Sequence, residues 1–122
     1  METGLTYTSK TVVDESNTAI ALGSGDMPVF ATPAMMALME NAAMKAVKEH
    51  LPEGSTTVGG HIESSHLKPS PIGAEVEATA TLDKIDGRKL NFTVVARQGD
   101  NVIGEGKHLR FIVDRERFLS KL

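Results

Sequence analysis

A chain of 122 residues with 40% apolar and 24% charged side chains has the size and composition of one globular domain, residues 1–122. Its net charge of −3 shows no basic stripe for nucleic acid, and with no Trp, one Tyr and four Phe there is no base-stacking platform. The absence of cysteine removes disulfides, thiolate nucleophiles and zinc–thiolate sites. Neither a signal peptide nor an apolar run of about 18 residues is visible, so a cytoplasmic protein making no membrane contact is expected.

Residues 6–13 are rich in Thr and Val and predict a first strand. Residues 14–31 predict an irregular connection containing Gly23-Ser24-Gly25-Asp26 and Pro28, long enough to serve as a lid. A helix over about 32–50 follows. It opens on Thr32-Pro33, read as N-cap and first helical residue, and stops before Pro52-Glu53-Gly54. Residues 56–67 predict a strand bounded by Pro69 and Pro71. In 73–86 the apolar Val76, Ala78, Ala80 and Leu82 alternate with polar neighbours, the pattern of a half-buried antiparallel strand. Asp86-Gly87 predicts a hairpin into 88–98, where Leu90, Phe92, Val94 and Ala96 share a face. Gly99-Asp100-Asn101 turns into a last strand over 102–113, and residues 114–122 read as a charged tail. The predicted architecture is α+β: one strand, a long loop, a central helix, then four strands joined by hairpins. The sheet curves around the helix and leaves an open edge that a second copy would cover.

Glu40 stands out in this pattern. The helix is apolar on nearly every side, including Met35, Met36, Met39, Ala42, Ala43, Ala46 and Val47, and such a helix is expected to be buried. A carboxylate there needs a partner or a chemical task. On a helical wheel Glu40 falls at the margin of the apolar face, beside a separate polar strip of Asn41, Lys45 and Lys48. A snorkelling side chain reaching solvent is the plain alternative.

Two segments carry a family resemblance. They are Val29-Phe30-Ala31-Thr32-Pro33-Ala34-Met35-Met36-Ala37-Leu38-Met39-Glu40 and the run from Val58-Gly59-Gly60-His61 through His66-Leu67-Lys68-Pro69 to Gly73. With the order of elements, they resemble the fluoroacetyl-CoA thioesterase-like branch of the hotdog-fold thioesterases, over about residues 5 to 118. The resemblance implies a hotdog fold and hydrolysis of an acyl-CoA thioester by Thr32, Glu40 and His66 acting together. It places Gly59 and Gly60 beside the thioester carbonyl and Met36 at the acyl group. It implies no cofactor and a homodimer. The fluoroacetate-specific member has a bulky hydrophobic lid before the helix. The matching stretch here, Thr18 to Met27, is shorter, smaller and Gly-rich, which favours generic acyl-CoA hydrolysis.

Each residue also has a structural reading. Thr32 can be an N-cap, or a nucleophile or hydrogen-bond donor at the positive end of the helix dipole. Gly59-Gly60 can be a β-bulge. His61 and His66, five apart on a strand, point to opposite faces, which argues against a shared metal. His50 and His108 have no partner pattern and read as surface residues. Lys68, Arg88, Lys89, Lys107 and Arg110 are candidates for CoA phosphate contacts or solvated faces. A non-catalytic acyl-CoA binding protein and an acyl-thioester hydratase or dehydratase are the alternative functions.

Overall fold

The computed structural model describes all residues 1–122. Its elements are β1 (Thr6–Val12), α1 (Ala19–Leu22), α2 (Thr32–Val47) continued by a 3₁₀ turn (Lys48–His50), β2 (Ser55–His66), β3 (Glu75–Asp86), β4 (Lys89–Gln98), β5 (Asn101–Asp114) and α3 (Arg115–Ser120). The five strands form one antiparallel sheet in the order β1-β3-β4-β5-β2. β3, β4 and β5 are joined by hairpins, as expected. β2 is not joined to β3 in that way: it pairs with β5 at the far edge, and the chain crosses through Pro69 and Pro71 to reach β3. Prolines cannot donate to a ladder, which suits them to this crossing.

The expected alternation holds in the sheet. Val76, Ala78, Ala80 and Leu82 of β3 and Leu90, Phe92, Val94 and Ala96 of β4 are buried. They pack against Met35, Met39, Ala42, Ala43, Ala46 and Val47 of α2. α2 is thus buried along one face and is not enclosed: Ala37 and Lys45 are exposed and Met36, Leu38 and Met44 are half-buried. Asn41 leaves the predicted polar strip to accept a hydrogen bond from the buried Ser9 of β1 (2.7 Å). No helix is long and apolar enough to cross a membrane.

Two segments read as irregular contain short helices. In the 14–31 connection Thr18 caps α1, accepting from the Ala21 N–H, and Gly23 ends it at φ 69°. In the tail Asp114 caps α3, accepting from the Arg117 N–H. Both are helices of fewer than two turns held by local caps, with no apolar period to announce them.

Candidate active site

Two polar clusters line the open side of α2. The first lies at its N-terminus. The helix begins at Thr32 itself, with Ala31 in the N-cap position and Pro33 second in the helix. Thr32 is therefore not a side-chain cap. Its Oγ1 instead lies 2.7 Å from Nδ1 of His66 at the end of β2. The buried Phe30 ring stands edge-on to the imidazole (centroids 6.5 Å apart, 83°) and fixes its plane. Burial lowers the pKa of His66, opposed in part by a backbone group of Lys68, so the ring is held neutral near pH 7. Its Nε2 is buried with no hydrogen-bond partner. Around the pair lies a cleft of ≈ 260 Å³, lined by Ala19, Ser24, Val29 and Phe30 on one side and Leu67, Lys68 and Pro69 on the other.

A bulge in β2 is what delivers His66 to this face. The register against β5 slips between Gly59 and His61. Before the slip the inward residues are Thr57 and Gly59, paired with Ile112 and Arg110. After it they are Ile62, Ser64 and His66, paired with His108, Gly106 and Gly104. One extra residue switches the inward parity from odd to even. A Cβ on Gly60, the bulged residue, would collide with the Phe111 ring, so any larger residue there has to displace that ring. His61 is exposed, on the face opposite His66.

The second cluster lies two helical turns on. Glu40 is 42% exposed in its side chain, with Oε2 3.9 Å from Nη1 of Arg110. Arg110 is buried, and its Nε and Nη2 donate to the Thr57 hydroxyl (2.8 Å) and carbonyl (3.0 Å). Nη1 lies 3.1 Å from Nε2 of His108, whose Nδ1 lies 2.7 Å from the His61 carbonyl. A carbonyl only accepts, so Nδ1 carries the proton and Nε2 accepts from Arg110. Burial is the main cause lowering the pKa values of His108 and Arg110; Glu40 opposes it in both. His108 and Arg110, expected on solvated surfaces, are instead core residues. The period-2 spacing of Gly104, Gly106, His108 and Arg110 on one face of β5 carried that signal.

Gly59 touches this cluster. A Cβ there would lie 3.0 Å from Glu40 Oε2, 3.4 Å from His108 Cε1 and 3.5 Å from Arg110 Nη1. Met36, half-buried, stands between the two clusters, because Thr32, Met36 and Glu40 are spaced by four and form one line along α2. That spacing also separates them: Thr32 and Glu40 are about 12 Å apart along the axis at 1.5 Å per residue. The structure thus brings Thr32 to His66, and Glu40 to Gly59, but not the two pairs together within one chain. Of the candidate phosphate ligands, Lys68 lines the cleft. Lys107 lies 3.9 Å from Asp83, while Arg88 and Lys89 are exposed at the β3–β4 hairpin.

A curved antiparallel sheet over one long helix, with its polar residues along the open helix side, is the hotdog architecture. The solved fluoroacetyl-CoA thioesterase FlK superposes with a TM-score of 0.92 at 33% identity, over 99% of this chain and 94% of that one. A mutant of FlK in complex with acetyl-CoA matches at 0.92 and 32% identity, covering 99% and 96%. In sequence, the fluoroacetyl-CoA thioesterase of Streptantibioticus cattleyicolor is 37% identical over 94 residues, 77% of this chain and 68% of that protein. Residues 13–116 match the fluoroacetyl-CoA-specific thioesterase family. The chain belongs to that family, and its class of activity is thioester hydrolysis on acyl-CoA.

Proposed function

We propose that this protein hydrolyses a short acyl-CoA thioester through Thr32, His66 and Glu40, in a site built by two copies of the chain. The observation that carries the reading is the 2.7 Å contact of Thr32 Oγ1 with a neutral, desolvated His66 at a helix N-terminus. A hydroxyl within hydrogen-bond reach of a base is an activated nucleophile. Nδ1 of His66 takes the Thr32 proton as Oγ1 attacks the thioester carbonyl. Pro33 has no N–H and that of Met35 bonds the Ala31 carbonyl, so the Thr32 and Ala34 N–H groups and the positive dipole end of α2 serve the oxyanion. The C–S bond then breaks, the imidazolium returns its proton to the leaving thiolate, and the acyl group rests on Thr32 as an ester. Glu40 accepts a proton from the water that attacks this ester, the departing Thr32 oxygen takes that proton back, and the acid is released. Lys68, in the cleft lining, suits a CoA phosphate, and Gly59 and Met36 are assigned to the acyl group by the family resemblance.

The second copy supplies what one chain lacks. β2 is an edge strand, with one row of backbone groups unpaired within the chain. Antiparallel pairing of β2 with itself about a two-fold axis at Glu63, with the bulged Gly60 left unpaired, sets Gly59 of one protomer opposite His66 of the other. That register brings Glu40 of the partner subunit towards Thr32 and His66. The small, Gly-containing segment 18–27 over the cleft, with Ala19 and Ser24 in its wall, favours generic short acyl groups over fluoroacetyl alone. Thiol release across short, branched and aromatic acyl-CoAs tests the reaction. Tight binding without thiol release would make the protein a binder instead. Mass spectrometry of Glu40→Gln after acyl-CoA addition tests the path: an acyl adduct on the Thr32 peptide is expected. A Glu40→Gln protein that stalls with no adduct would leave Thr32 as a hydrogen-bond donor to direct attack by water.

A further inference from the structure

We propose that Arg110 and His108 are positioning residues for Glu40, forming a rigid buried frame that aims the carboxylate at the site while leaving it free to take a proton. This rests on the reading of Glu40 as the base. A buried guanidinium costs free energy unless its donors and charge are matched. Three donor contacts of Arg110 are fixed: two to Thr57 and one to His108. His108 is fixed in turn by the His61 carbonyl, within the Gly59–His61 bulge. Glu40 is the one carboxylate within 4 Å of the guanidinium, and at 3.9 Å it is attracted without being hydrogen-bonded. A tight bidentate pair would occupy both carboxylate oxygens; this gap leaves them available. Gly59 completes the frame by leaving room where a Cβ would press on Glu40 Oε2. The same bulge therefore performs two tasks: it turns His66 inward at one end of β2 and anchors the frame for Glu40 at the other. The alternative for such a cluster is simple core satisfaction, which would hold the sheet together and leave kcat alone.

The test is a double-mutant cycle on thioester hydrolysis, with melting temperature measured for each protein. Arg110→Lys keeps a charge and loses the planar fork. It is expected to lower kcat about 10- to 100-fold, the range for a misplaced catalytic group, with KM little changed. In a Glu40→Gln background the same substitution should have almost no further effect on kcat. Thr57→Val, which removes one anchor and keeps the arginine, should show the same dependence on Glu40 at smaller size. It decides the matter where Arg110→Lys does not fold. Wild-type kcat in folded Arg110→Lys or Thr57→Val, or an equal loss with and without Glu40, would overturn the proposal. Full activity of Glu40→Gln itself would instead overturn Glu40 as base, which separates the two failures.

Discussion

Thr32 shows how one residue is decided between two physical roles. A threonine before proline at a helix start reads as an N-cap, but here Ala31 holds that place and the hydroxyl turns to His66. The consequence is measurable. Thr32→Ala and His66→Ala should each slow hydrolysis strongly, and the double mutant should be little worse than the poorer single, because the two act as a unit. Thr32→Ala should melt close to wild type, since it gives up an exposed hydrogen bond rather than a cap. Additive losses in rate would separate the two residues. Glu40→Gln, which keeps shape and removes the base, should lower kcat at least about 100-fold; unchanged turnover would return Glu40 to a snorkelling side chain. Thr32, Glu40 and His66 were singled out as candidates in the sequence through the family pattern. The pairing within them was not, because it depends on the helix start and on a bulge, each set by a shift of one residue.

At the scale of elements, β2 and β5 carry most of the polar residues of the candidate site, and they are where sequence patterning says least. β3 and β4 declare themselves because their inward residues are apolar and alternate. On β5 the inward positions after Ile103 are Gly104, Gly106, His108 and Arg110, so hydropathy reverses sense and the buried face reads as a surface. Strand order was equally hidden, since nothing local tells β2 to pair with β5 across the sheet. The two inward histidines, His108 buried and His66 half-buried, give this half of the sheet a pH dependence. Both His66 and His108 have pKa values lowered in the folded state, chiefly by burial. Above the ordinary histidine pKa of about 6.5 both states are neutral and the stability is fully present. Below it the unfolded chain binds protons that the folded one refuses, so stability falls as pH drops towards the depressed folded values. The melting temperature should therefore decline between about pH 7 and pH 5, and His108→Gln should flatten that decline. An unchanged slope in His108→Gln would mean that His108 is protonated without penalty.

For the whole molecule, one chain holds two polar clusters about 12 Å apart along the same helix, and the edge strand beside them is open. In the proposed assembly, a dimer, each site takes Thr32 and His66 from one protomer and Glu40 from the other. Sedimentation at micromolar concentration should give a dimer, and a stable monomer would remove the composite site. Subunit mixing gives the sharper answer. His66→Ala and Glu40→Gln homodimers should each be nearly inactive. Co-refolded in equal amounts, half of the dimers should be mixed, and each of these carries one site with both mutations and one with neither. Activity should then recover to about one quarter of wild type, by the two-fold symmetry of the interface. If Glu40 acts on Thr32 and His66 of its own chain, every site in the mixture keeps a lesion and no activity returns. The experiment thus reads the register of the β2 pairing directly from catalysis, because only a pairing that carries Gly59 to His66 across the two-fold brings the intact halves together.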